Sequence, residues 1–79
     1  MKFIEFLFIN STSVEKEVMV MNPAEAKPYI ELMNSVGGMY KSYRVLTSQE
    51  AKEFIKEFVK TNSEKLSLIK KYNKCYGKF

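Results

Sequence analysis

The segment from residue 2 to residue 9 has apolar side chains on both faces of any strand that it forms. Side chains of an extended chain alternate between the two faces. One face carries Phe3, Leu7 and Ile9 around Glu5, and the other carries Ile4, Phe6 and Phe8. A strand that is apolar on both faces is typical of a central strand that is covered on both sides. The segment therefore predicts the middle strand of a sheet.

The next residues predict a hairpin partner and a short helix. The polar run 10–13 favours a turn, and residues 14–21 resume as a second strand. Asn22 can cap a helix that begins at Pro23, with an irregular turn at Pro28 and a stop at Gly37. The expected apolar face of this helix consists of Tyr29, Leu32, Met33 and Val36.

The second half of the chain predicts a strand and two helices. Residues 39–46 are rich in Tyr and Val and favour a third strand. Thr47 with Glu50, and Thr61 with Glu64, form two capping-box patterns that each predict a helix start. The buried stripe expected of the first helix is Ala51, Phe54, Ile55, Phe58 and Val59. In the second helix we expect Leu66, Leu68, Ile69 and Tyr72 to be buried, with fraying over 73–77.

The element order is therefore β-β-α-β-α-α, which predicts one α+β domain over residues 1–79. A small three-stranded sheet packed against helices in two layers is the natural arrangement. Helices on one face would leave the second face of the first strand uncovered. Either the last helix lies behind the sheet or a second protein molecule covers it, and this leaves a homodimer or another protein partner open.

The residue types exclude most catalytic and metal sites. The chain has no His, no Asp and a single cysteine, Cys75. This removes Ser-His-Asp and Cys-His arrangements and the usual zinc sites, and Gly37-Gly38 lacks the rest of a phosphate-binding loop. Glu5 is the one acid in an apolar strand, and we expect it to lie at an edge or to pair with a lysine such as Lys16. The sequence predicts no enzyme and no cofactor.

The sequence also favours a cytoplasmic protein. A lone cysteine cannot form an internal disulfide, which fits a reducing compartment. The apolar run at residues 3–9 contains Glu5 and is too short for a signal peptide or a membrane span. We therefore expect no contact with a membrane.

Two clusters combine basic and aromatic residues and are the predicted partner-binding sites. The excess positive charge is C-terminal, because residues 65–79 contain five lysines and no acid while residues 1–64 contain nine acids and eight basic residues. The predicted basic helix and tail, residues 62–79, contribute Lys70, Lys71, Tyr72, Lys74, Tyr76 and Lys78. The third strand contributes Tyr40, Lys41, Tyr43 and Arg44, with Tyr40 and Arg44 expected on one face and Lys41 and Tyr43 on the other. Such residues can hold nucleic acid or an acidic protein surface.

The N-terminal hairpin resembles a known class of proteins. Lys16-Glu17-Val18 followed by Met21 is similar to the second-strand pattern of phage antitoxins of the Dmd type. The heavy use of Lys, Asn, Ile, Phe and Tyr is typical of an AT-rich genome, as in the small early host-takeover proteins of T-even-like phages. The resemblance covers the first quarter of the chain, and it implies a protein that blocks a host factor by binding it, in the host cytoplasm.

Two functions from different classes follow from these features. The first is a small non-enzymatic binding protein, a modulator or inhibitor of phage type that acts on a host protein. The alternative is a nucleic-acid-binding accessory protein that uses the basic-aromatic strand and the lysine-rich C-terminus.

Overall fold

The computed structural model describes all of residues 1–79 and shows the α+β order that the sequence predicts. The strands are Lys2–Asn10 (β1), Ser13–Met21 (β2) and Tyr40–Val45 (β3). The helices are Ala26–Ser35 (α1), Ser48–Phe58 (α2) and Asn62–Tyr76 (α3), with a 3-10 turn at Pro23–Glu25 before α1.

The sheet has the strand order β2-β1-β3, and both pairings are antiparallel. The prediction of a central first strand is confirmed. Asn10 lies opposite Ser13, so Ser11 and Thr12 alone make the hairpin turn. Ser11 has a φ of 58°, in the left-handed region that two-residue hairpin turns require.

The first helix follows a side-chain-capped 3-10 turn and ends in a backbone stop at Gly37. Asn22 Oδ1 accepts a hydrogen bond from the backbone N–H of Ala24 at 3.0 Å. Pro28 lies in the first turn of α1, where backbone N–H groups have no partner within the helix, so its missing donor is not needed there. Gly37 has a φ of 101°, and the N–H of Gly38 donates to the carbonyl of Met33 at 2.9 Å. These are the features of a Schellman stop.

Helices cover both faces of the sheet. On one face Ile4 and Phe6 of β1 pack with Met21 and Ala26 against Tyr29 and Ile30 of α1. The other face is closed by α2 and α3, whose buried side chains pack with Phe3 and Leu46; these are Ala51, Ile55 and Tyr72. The sheet therefore lies between α1 on one side and α2 and α3 on the other, which makes three layers where the sequence predicted two, and the chain covers the second face of β1 with its own helices.

Four of the side chains that we expected to be buried are exposed: Leu32, Val36, Phe58 and Leu66. In α1 the side chains that pack against the sheet are centred on Tyr29 and Ile30. Leu32 and Val36 lie beside this contact and are exposed. Leu66 precedes Tyr72 by six residues, a rotation of about 120° from the buried side of α3. Phe58 is the last residue of α2 and is 69% exposed. A helical period alone does not say how far the buried stripe extends.

The sequence predicts fraying over residues 73–77, but α3 stays helical as far as Tyr76. The Tyr76 hydroxyl donates to the carbonyl of Leu46 at 2.8 Å and accepts from the N–H of Phe3 at 3.0 Å. Lys2 Nζ donates to the carbonyl of Cys75 at 3.1 Å. These bonds join the end of α3 to β1, so the helix continues to Tyr76.

None of the three helices has the length and apolar content that crossing a lipid bilayer requires.

Candidate functional site

The basic-aromatic strand β3 contains a bulge that rearranges its side chains. Ser42 lies opposite Leu7, but Tyr40 lies opposite Phe8, so Lys41 is an extra residue without a partner on β1. The strict alternation that we expected is therefore wrong. Tyr40 and Tyr43 share the α1 face of the sheet, and Arg44 lies on the other face.

Tyr40 is part of a half-buried aromatic cluster. Its ring stacks on Phe8 with centroids 5.1 Å apart and meets Phe6 edge-on at 6.0 Å. The Tyr40 hydroxyl donates to Glu17 Oε1 at 3.2 Å, and Tyr29 donates to the same oxygen at 3.5 Å. The hydrogen bond with Tyr29, burial and the nearby Glu17 carboxylate all raise the pKa of Tyr40 above its usual range. Tyr40 stabilises the fold and is not a free stacking platform.

Arg44 is held by two carboxylates on the opposite face. Its guanidinium forms an ion pair with Glu5, which lies directly across on β1, at 3.3 Å, and a second with Glu50 of α2. Glu5 thus pairs with Arg44 and not with Lys16, and it lies on the central strand and not at an edge. A hydrogen bond from the Thr47 backbone N–H, together with Arg44, lowers the pKa of Glu50. Arg44 is therefore already engaged within the chain.

The C-terminal cluster divides into lysines at the surface and tyrosines in the interior. Tyr72 is buried against Phe3, and Tyr76 makes the two hydrogen bonds described above. The lysines are exposed and form no ion pair; they are Lys70, Lys71, Lys74 and Lys78. This end of the chain therefore offers positive charge without an aromatic platform.

One concave site lies between β1, β2, β3 and one side of α2. This acidic cleft has a volume of about 270 Å³. Its apolar lining is Val18, Leu46, Phe54 and Phe58, and its charged lining is Glu5, Lys16, Arg44, Glu50, Glu53 and Glu57. Four carboxylates thus face one lysine and one arginine, so the cleft is net negative in a chain whose overall charge is +4.

Arg44 is the one predicted site residue that lines this cleft. The sequence predicts that the charged residues of α2 cover the face opposite its buried stripe, whereas in the structure they form two separate stripes. Glu50, Glu53 and Glu57 recur at intervals of three and four, and so they share the flank that carries Phe54 and Phe58. Lys52 and Lys56 lie four positions apart on the opposite flank. The acidic stripe was therefore readable from the sequence, but its position against β1 and β3 was not.

The lysine flank of α2 faces the end of the chain. Lys52 Nζ lies 5.9 Å from the ring centroid of Tyr72, and Lys52 and Lys56 lie 5.5 and 5.9 Å from that of Phe79. The Phe79 ring itself packs edge-on against Tyr72 at 5.2 Å. Lysines of α2 are thus directed away from the acidic cleft.

The acidic cleft does not bring together the ligands of a metal ion. No group of three acidic or thiol side chains in the structure has the required geometry. Cys75, the single thiol, is half-buried beside Met1, Val20, Lys71 and Lys74 and does not line the cleft. The arrangement of the cleft suits recognition through charge and aromatic contact.

Comparison of the chain with known protein families, with curated proteins and with solved structures finds no match.

Proposed function

We propose that this chain is a small non-enzymatic binding protein that holds a protein partner in the acidic cleft. The observation that carries the proposal is the position of Phe58. Its ring lies at the cleft, stacks on Phe54 with centroids 6.3 Å apart and an interplanar angle of 19°, and is nevertheless 69% exposed. Aromatic side chains are enriched among the residues that dominate binding energy at protein interfaces.

The charged residues around Phe58 support selective binding of a partner and not only non-specific attachment. Ionised groups beside an exposed aromatic residue select partners of complementary charge and increase the rate of encounter. The narrower expectation, that the chain is a phage-type inhibitor of a host factor, stays part of the proposal. It is tested by the same capture experiment.

The test is affinity capture from nuclease-treated bacterial lysate followed by mass spectrometry, with two matched variants. Phe58→Ser removes the exposed ring at the cleft, and Leu66→Ser removes an apolar side chain of α3 that is similarly exposed, at 62%, but lies outside the cleft. We expect the wild type and Leu66→Ser to retain the same stoichiometric partner and Phe58→Ser to lose it. Absence of any stoichiometric partner, or equal loss in both variants, would contradict the proposal.

Nucleic-acid binding is a second candidate, favoured by the four exposed and unpaired lysines at 70, 71, 74 and 78. Because the neighbouring tyrosines are in the core, such binding would be electrostatic and without base stacking. Its affinity should fall steeply with salt, by about 0.9 units of log–log slope for each neutralised phosphate of a DNA duplex. A gel-shift series with all four lysines changed to Gln measures this, and no shift of the wild type at low salt would exclude it.

A further inference from the structure

We propose that the occupant of the acidic cleft is a lysine or arginine side chain on an extended basic segment of the partner; this rests on the proposed function and specifies its chemistry. The first support is that two of the four cleft carboxylates lack a cation. Glu5 and Glu50 both bind Arg44. Glu53 accepts a hydrogen bond only from the neutral amide of Gln49, at 3.1 Å, and Glu57 forms neither a hydrogen bond nor an ion pair.

The second support is the aromatic pair between these carboxylates. Phe54 and Phe58 lie on α2 next to Glu53 and Glu57, and all four line the cleft. The face of an aromatic ring attracts a cation, most strongly where water is partly excluded. A site that combines carboxylates with exposed rings therefore favours a cationic side chain over an anionic or a neutral one.

The third support is that no cation of the helix itself reaches Glu53 or Glu57. Glutamate and lysine residues that lie three or four positions apart on a helix often pair. Here Lys52 and Lys56 lie instead over the rings of Tyr72 and Phe79 on the other flank. Lys16 of β2 also lines the cleft but forms no ion pair with either carboxylate, so both are open to a cation from outside the chain.

The volume of the acidic cleft limits what it can hold. About 270 Å³ is below the roughly 300–1,000 Å³ that is usual for small-molecule sites. One long side chain fits that space better than a cofactor does, while the rest of the segment lies along the exposed edge. A second copy of this chain is the competing source, because its C-terminal end carries four exposed lysines, and the sedimentation measurement below distinguishes it from a separate partner.

The experiment measures the binding of a fluorescein-labelled peptide of twelve residues in which arginine and serine alternate. Glu53→Gln with Glu57→Gln removes the two unpaired carboxylates of the cleft. Glu25→Gln with Glu31→Gln is the matched control, because it changes the net charge equally at exposed positions outside the cleft. By fluorescence anisotropy we expect the cleft variant to bind the peptide about tenfold more weakly than the wild type, and the control to differ less than twofold.

Two further measurements make the result decisive. In two-dimensional NMR spectra, the peptide should shift the amide signals of 44–46 and 50–58 and leave those of α1 unchanged. Equal weakening in both variants, or shifts spread over the whole surface, would show non-specific attraction and overturn the inference. So would dimers at low salt, seen by sedimentation, that the cleft variant abolishes, because the second copy would then be the occupant.

Failure of this inference is distinguishable from failure of the proposed function. A captured partner that depends on Phe58 but not on Glu53 and Glu57, with no peptide binding, would preserve the protein-binding role and reject the cationic occupant. Loss of the Phe58 dependence would reject the binding role itself.

Discussion

One hydroxyl group, that of Tyr76, connects three separate parts of the chain. It is on α3, it accepts from the backbone of Phe3 in β1, and it donates to the carbonyl of Leu46 just after β3. A part-buried backbone N–H that loses its acceptor keeps the full cost of its desolvation. The residue that sequence reasoning assigned to a partner surface thus contributes to the stability of the fold.

We predict that Tyr76→Phe lowers the free energy of unfolding by about 1–3 kcal/mol, because two hydrogen bonds are lost while the ring stays in place. Urea denaturation followed by circular dichroism measures the change. The matched control is Tyr43→Phe, since Tyr43 is exposed and its hydroxyl makes no hydrogen bond within the protein. If both substitutions lower the free energy of unfolding equally, the hydrogen bonds of the Tyr76 hydroxyl do not stabilise the fold.

At the level of the elements, the sequence predicts the caps well and the bulge not at all. Asn22, Thr47 and Thr61 each accept the capping hydrogen bond expected of them, because these bonds depend on residues within one turn. The bulge at Lys41 depends on pairing with β1, more than thirty residues earlier in the chain, and no local pattern encodes it. The position of the acidic cleft could not be predicted from local patterns either, because the cleft forms only where α2 packs beside the sheet.

The bulge gives a second prediction, about a deletion. Removing Lys41 leaves Ser42 opposite Leu7 and Tyr40 opposite Phe8 in a regular strand, so every side chain keeps its face. We expect the variant to fold with a loss of about 1 kcal/mol or less, the size of one exposed hydrogen bond. Deleting Leu7 from β1 instead moves Phe3, Ile4 and Phe6 to the wrong faces relative to the rest of the sheet, and that variant should not fold. Thermal unfolding followed by circular dichroism compares the two deletion variants. A fully unfolded Lys41 deletion would contradict the assignment of Lys41 as the extra residue of a bulge.

At the level of the whole molecule, the titrating groups define a pH window for stability. The pKa values of Tyr40 and Tyr76 are raised, Tyr40 chiefly by hydrogen bonding and Tyr76 by burial. The unfolded chain therefore loses these protons first, and stability should fall as the pH rises above about 10. The pKa of Glu50 is lowered, so the folded chain resists protonation there and stability should fall as the pH drops below about 4.5.

Melting temperatures measured from pH 3 to pH 11 should therefore form a plateau with a decline on each side. Tyr76→Phe removes one of the groups responsible for the alkaline decline, so its loss of stability above about pH 10 should be smaller than that of the wild type. An unchanged alkaline slope in this variant would show that Tyr76 does not titrate differently in the folded and unfolded chains.

The place of β1 in the middle of the sheet also sets the order in which the chain can fold as it is synthesised. β1 and β2 can pair as a hairpin once residue 21 has emerged from the ribosome. Leu46, Ala51 and Ile55 cover Phe3 in part, but its contacts with the rings of Tyr72 and Tyr76 join positions about seventy residues apart, and such distant contacts form slowly. The nascent chain therefore folds around an apolar strand whose cover is completed only once α3 has been made.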